Sequence, residues 1–122
     1  MTRTTSPPSP YVAQILRLYC LLPDTPTRPR PPDRRLADEL DRRQVPLDLI
    51  CTAFVLATAR RLFSPSAPLP AIRSLNYFLP LVEELLNKPV EPGYVEYLRR
   101  RLQAAGHSRA FQRWLRTSIF TE

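Results

Sequence analysis

Proline is the residue that most limits how this chain of 122 residues can fold, because it occurs 15 times against only two glycines. A proline inside a helix removes one backbone hydrogen bond and collides with the preceding turn, so prolines favour helix ends and first turns. Here they stand between apolar runs, and the densest group is the five prolines of residues 23–32. These positions predict short, stiff, extended connections between helices.

Between the prolines, apolar residues recur every three or four positions, which is the spacing of one face of an α-helix. No stretch alternates apolar and polar residues as a half-buried strand would. We therefore predict an all-α fold, a compact bundle of about six helices with proline-rich connectors and no sheet. The predicted helices cover residues 10–22, 33–43, 46–63, 71–87, 91–105 and 109–120.

Local signals predict several helix ends. Ser9, which precedes a proline, is expected to cap the first helix, Ser108 to cap the last, and Gly106 to end the fifth. Pro80 lies within the fourth predicted helix and is expected to kink or split it. Residues 46–63 are apolar on almost every side, which is typical of a central, buried helix.

The length and the absence of apolar spans predict one domain in the cytoplasm. A mass of 14.1 kDa supports one modest core. We predict a disordered lead-in over residues 1–9 and one helical domain over 10–122, with its basic helices at 92–120. No run of about 18 apolar residues and no apolar signal segment occurs, so neither a membrane span nor a secretory signal is expected.

The residues that usually perform catalysis are few and poorly placed. Cys51 lies in the most apolar segment and Cys20 near the first apolar stripe, so both thiols are expected to be inert. His107 stands in a predicted turn, and the adjacent Glu83 and Glu84 point about 100° apart on a helix. With no glycine-rich phosphate loop, the sequence predicts a protein that is not an enzyme and has no metal, cofactor or small-molecule substrate.

Positive charge is the first indication of function. The chain has a net charge of +7 and an isoelectric point near 10.2, in the range usual for nucleic-acid-binding domains. Seventeen of the 18 basic residues are arginine, whose planar fork can bind phosphate through two hydrogen bonds. The codon preference of a GC-rich genome is an alternative explanation for the excess of arginine over lysine.

The basic residues concentrate toward the carboxyl end. Residues 94–122 carry six arginines against two glutamates, a net charge of +4. Arg109, Arg113 and Arg116 are spaced by four and three residues, so they share one face of the predicted last helix, while the opposite face is apolar. The predicted nucleic-acid-binding residues are Arg99, Arg100, Arg101, Arg109, Arg113, Trp114 and Arg116.

Trp114 is assigned because of aromatic stacking, and residues 99–101 are assigned because they are clustered. Trp114 is expected to flank the arginine stripe, since arginine beside aromatic rings suits single-stranded nucleic acid. Residues 99–101 are expected to add a second basic cluster. The alternative is a solvated helix face with Trp114 packed in the core.

A helix-turn-helix is the main alternative use of the second and third helices. Residues 33–43, a turn at Gln44 and Val45, and residues 46–63 have plausible spacing for that motif. A recognition helix must present polar side chains to base edges, and phosphates would repel Asp48 on this one. We therefore interpret the pair as a core hairpin.

The order of features resembles the DnaD-like domain of bacterial replication proteins, a compact helical module used in loading the replicative helicase. Tyr77, Leu81 and Leu85 have the spacing of that family's late-helix pattern, with Leu85 where the family has tryptophan. Residues 47–54 are similar to its central helix, and the resemblance covers about residues 11–87. It implies a role in DNA replication or mobile-element maintenance, with DNA contacts toward the carboxyl end and a protein partner on the body. Core packing is the expected use of Tyr77.

These observations predict an accessory protein that binds the phosphate backbone of DNA or RNA, either single-stranded or without sequence preference. It is also expected to contact a protein partner. The alternatives are a helical adaptor, a homodimeric structural module, or a small subunit of a larger, RNA-guided complex. In the adaptor, residues 23–32 would serve as a docking strip. Binding of the last helix to a membrane surface is the weakest alternative, because a small core needs the same apolar face.

Overall fold

The computed structural model describes residues 9–63, 69–106 and 108–116. Six α-helices and one short 3₁₀ helix occur in these ranges, without a strand, which confirms the all-α prediction. The helices are α1 (Pro10–Tyr19), α2 (Pro31–Arg42), α3 (Leu47–Leu62), α4 (Leu79–Asn87), α5 (Pro92–Ala104) and α6 (Arg109–Leu115), and the 3₁₀ helix is Leu75–Phe78. Nearly all of the predicted lead-in, His107 and the end of the last predicted helix lie outside the described residues. None of the described helices is long and apolar enough to span a bilayer.

Helix α3 is the centre of the bundle, as its apolar sequence predicts. Its residues from Ile50 to Ala59 are buried except for Thr52, and it packs against α1, α4, α5 and the 3₁₀ helix. The Phe54 ring has no exposed surface and meets the Phe78 ring edge-on, with centroids 4.9 Å apart. Burial of one such side chain contributes about 1.5–3 kcal/mol to folding. This helix therefore holds together elements from both ends of the chain.

Proline splits the fourth predicted helix, as expected. Residues 69–74 are not helical, the 3₁₀ helix follows, and α4 begins at Leu79 with Pro80 in its first turn. That position suits proline, because the N–H groups of the first turn have no partner within the helix. Helix α1 ends at Tyr19, three residues earlier than predicted, and α2 begins at Pro31, two residues earlier.

The predicted caps are confirmed at both ends of the described chain. Ser9 Oγ accepts from the Val12 N–H at 3.1 Å and donates to the Asp41 carboxylate at 2.8 Å. Ser108 Oγ accepts from the amide of Phe111 at 3.2 Å. Gly106 follows α5 with a φ of +76°, the left-handed conformation that ends many helices.

The turn between α2 and α3 is a Schellman motif. Gln44 has a φ of +58°, its N–H donates to the Asp41 carbonyl at 2.9 Å, and the Val45 N–H donates to the Leu40 carbonyl at 3.1 Å. Helix α2 packs mainly against α1 and the 3₁₀ helix rather than along α3. The hairpin interpretation is therefore only half correct: α3 is a core helix, but α2 is not its close partner. Because α3 is buried from Ile50 to Ala59 apart from Thr52, it presents little polar surface to a groove of DNA.

A buried carboxylate joins the first turn of α2 to the 3₁₀ helix. Asp33 is 1% exposed. Its Oδ2 accepts from the Arg30 N–H and its Oδ1 from the Leu75 N–H, each at 2.8 Å. One side chain thus caps a helix and fixes the position of a segment 42 residues away.

Candidate nucleic-acid interface

Helix α6 presents its arginines outward and its apolar residues inward. Phe111, Trp114 and Leu115 are buried, whereas Arg109, Arg113 and Arg116 are exposed. The ion pairs found within residues 9–63, 69–106 and 108–116 involve none of these three arginines. The predicted stripe therefore exists on α6 and on Arg116, the residue that caps its carboxyl end, and none of the described acidic residues forms an ion pair with it.

Trp114 lies in the core rather than beside the stripe. It is 4% exposed, and its ring lies 5.7 Å from the Phe111 ring and 6.4 Å from the Phe54 ring, measured between centroids. A base cannot stack on a ring that α3 and α6 already enclose. The prediction that Trp114 flanks the arginines is corrected: it anchors α6 to the bundle.

The three consecutive arginines of α5 do not form one cluster, because successive helical residues point about 100° apart. Arg99 is 4% exposed, and its Nε donates to the Leu115 carbonyl at 2.9 Å while Nη2 donates to the same oxygen. A cation at the carboxyl end of α6 also complements the helix dipole. Arg99 is therefore a structural link between α5 and α6, and the predicted phosphate contact is corrected.

The other two arginines of the triplet reach the surface on different sides. Arg100 is 75% exposed and pairs with Glu96, with Nε 3.2 Å from the carboxylate. The Arg101 guanidinium lies 4.0 Å from the centroid of the Phe63 ring and 5.9 Å from that of Tyr97. Arg99 thus marks the flank of α5 that faces α6, and Arg101 marks the flank that faces the end of α3.

A second surface, which the sequence analysis missed, lies at this α3 flank. Tyr94 and Tyr97 are 52% and 51% exposed. Their rings are 25° from parallel, with centroids 6.2 Å apart. Beside them a cleft of about 220 Å³ opens between α3 and α5, with Arg60 and Arg101 in its lining. The spacing of Tyr94, Tyr97 and Arg101 by three and four residues was a readable signal of one shared helix face.

Tyr77 is not a core residue, so the expectation for it was wrong. It is 44% exposed and lies in the 3₁₀ helix, whereas Leu81 and Leu85 are buried in α4. Its hydroxyl accepts from Arg61 at 3.4 Å. Arg61 also donates to the Pro70 carbonyl at 2.7 Å and pairs with Asp24 at 3.2 Å. Arg61 therefore fixes the loops at one end of α3 and is not part of an exposed basic surface.

The thiols are poor nucleophiles. Cys51 has no exposed surface, and burial, with a smaller effect of Asp48, raises its pKa to about 12. Burial also raises the pKa of the partly exposed Cys20. Among the described residues, no group of three histidine, cysteine, aspartate or glutamate side chains is arranged to hold a metal ion.

We expect the two thiols to differ in reactivity. At about pH 8, a chromogenic disulfide reagent should modify at most Cys20 in the folded protein, since the thiolate is the reactive form. Cys51 should react only after unfolding in urea. Release of the reagent's thiolate, followed by absorbance with and without urea, measures both. Equal rapid reaction of the two cysteines without urea would contradict the burial of Cys51.

Comparisons with protein-family models, with curated proteins and with solved structures found no match for this chain. The functional argument therefore rests on the geometry of its surfaces.

Proposed function

We propose that this protein is an accessory protein that binds single-stranded nucleic acid through its phosphate backbone, without strong sequence preference. The arginine stripe of α6, which consists of Arg109 and Arg113 in the helix and Arg116 at its C-cap, is the observation that carries the proposal. A role in DNA replication or mobile-element maintenance, with a protein partner on the helical body, belongs to the same proposal.

The shape of the stripe suits a phosphate backbone. The seven-residue step from Arg109 to Arg116 spans about 10 Å along the helix, at 1.5 Å per residue. A stacked strand rises about 3.4 Å per nucleotide, so it passes about three phosphates over that distance. Anchoring by Phe111, Trp114 and Leu115 supports the proposal further, because arginines on a fixed helix lose less freedom when they bind.

Replacing Arg109, Arg113 and Arg116 together by alanine should abolish most binding to a short single strand. If each arginine meets one phosphate, the slope of log K against log salt becomes shallower by about 2, and affinity at low salt falls at least about tenfold. Fluorescence anisotropy with labelled oligothymidylate and oligouridylate, between about 50 and 200 mM salt, measures the slope and the DNA or RNA preference.

A charge-matched control separates the stripe from general positive charge. Arg17, Arg28 and Arg35 are exposed and lie in α1, the proline connector and α2. Their triple alanine variant has the same net charge as the α6 variant and should keep most of the affinity. An equal loss in the two variants would overturn the proposal. So would a wild-type protein that sediments as a stable oligomer and binds neither oligonucleotide, which would favour the adaptor.

A further inference from the structure

We infer that the cleft between α3 and α5 is a nucleobase-stacking subsite for single-stranded nucleic acid. Tyr94, Arg60 and Arg101 line it, and the Tyr97 ring extends its aromatic surface beside Tyr94. This inference rests on the proposed function and extends it, because it adds contacts with bases to contacts with phosphates. It also predicts a preference for unpaired strands, whose bases are free to leave the stack.

The cleft combines an apolar floor with an aromatic wall. Leu56, Ala59 and Leu98 lie at its base. Tyr94 lines its side, and the Tyr97 ring lies next to the Tyr94 ring at an angle of 25°, with both tyrosines about half exposed. Two adjacent rings held this way by one helix offer a flat apolar face that already exists in the free protein. Stacking of bases on such rings tolerates any base, because every base has a π-face.

The charge of the cleft favours an anion. Arg60 is exposed at the end of α3, and Arg101 lies over the Phe63 ring. Among the described residues, none that lines the cleft is acidic. The contact with Phe63 holds the Arg101 guanidinium in place, and because Arg101 is exposed its N–H groups stay available to phosphate oxygens. A flat apolar base next to a phosphate matches this combination, whereas an uncharged apolar ligand would leave the two cations without partners.

The cleft and the α6 stripe can serve the same strand. Arg101 points to the α3 side of α5, and Arg99 points to the α6 side. Arg100 lies between them on the outer face of α5 and is 75% exposed. A strand crossing that outer face would therefore meet the tyrosines first, then Arg100, and then the arginines of α6.

The test compares two oligonucleotides that differ only in their bases. One is an oligothymidylate of about 12 nucleotides, a typical site size, and the other is an abasic strand with the same number of phosphates. Wild type should bind the thymidylate about tenfold more tightly, within the range known for one stacked base. The double variant Tyr94→Leu/Tyr97→Leu should bind both strands equally, at the abasic affinity of wild type, because leucine retains apolar volume but not the ring.

Two further variants control for folding and for chemistry. Tyr94→Phe/Tyr97→Phe retains the rings and should restore the tenfold ratio. Tyr77→Leu removes another exposed tyrosine, which does not line the α3–α5 cleft, and should leave the ratio unchanged. Circular dichroism checks that each variant is folded.

The possible results separate this inference from the proposed function. If wild type binds both strands with one affinity, or the leucine variant keeps the tenfold ratio, the base subsite is wrong and the phosphate stripe stands. If wild type binds neither strand, both are wrong. If a polyglutamate peptide binds wild type and loses affinity in the leucine variant, the cleft docks an acidic protein and the inference is overturned.

Discussion

Replacing Asp33 by alanine is expected to lower the free energy of unfolding by about 3 kcal/mol. The carboxylate is 1% exposed and accepts hydrogen bonds from the N–H groups of Arg30 and Leu75. Its loss leaves the Leu75 N–H buried without that acceptor, and it removes the cap of α2. Urea unfolding followed by circular dichroism should show the midpoint lowered by about 1.5 M with little change in slope.

Two comparisons show whether burial and geometry cause this effect. Asp33→Asn keeps one acceptor oxygen but turns an N–H group toward the second donor, so it should cost about 2 kcal/mol. Asp38→Ala removes a carboxylate from the same helix, where it pairs with Arg34 on the surface, and should cost less than about 1 kcal/mol. An Asp33→Ala variant as stable as Asp38→Ala would refute the role of Asp33.

Local sequence signals predict the helices and their ends well, because those features depend on neighbouring residues. The serine caps at Ser9 and Ser108, the left-handed Gly106 and the break at Pro80 each follow from the chemistry of one short segment. The burial of α3 follows likewise from an apolar surface that no amphipathic pattern interrupts.

Tertiary contacts account for what the sequence does not predict. In the sequence, Asp33 looks like any acidic residue in the first turn of a helix, because its second hydrogen-bond partner is 42 residues away. Arg99, Arg100 and Arg101 are adjacent and chemically identical, and only the positions of α6 and Phe63 decide which is buried, exposed or stacked. A count of charges along the sequence therefore overestimates the basic cluster at residues 99–101, because the fold places the three side chains in different surroundings.

The arginines of this protein fall into two groups, those that stabilise the fold and those that form a basic surface. Arg61 and Arg99 use their guanidinium groups to satisfy carbonyl oxygens of Pro70 and Leu115. Carbonyls at loop and helix ends otherwise need partners from water or from capping residues. Because these two arginines stabilise the fold, the proposed binding surface depends on the arginines that remain exposed on α6 and on the outer face of α5.

When each is replaced by methionine, two adjacent arginines of α5 are expected to affect different properties: Arg99 the stability of the fold, and Arg100 the binding of a single strand. Arg99→Met keeps the apolar stem but removes the donors to the Leu115 carbonyl. The free energy of unfolding should therefore fall by about 2–3 kcal/mol. Its salt slope for single-strand binding should not change. Arg100→Met should lower the free energy of unfolding by less than about 0.5 kcal/mol, because only an exposed ion pair with Glu96 is lost. Its salt slope should become shallower by about 0.7, the contribution of one phosphate contact.

The pair is its own matched control, since both variants lose one positive charge from the same helix. Urea unfolding measures the first effect, and anisotropy across a salt series measures the second, at a temperature where both variants are folded. A shallower slope in Arg99→Met would mean that this guanidinium reaches the strand and that its bond to α6 is dispensable. An unchanged slope in Arg100→Met would remove the outer face of α5 from the path of the strand and leave the α6 stripe as the phosphate contact.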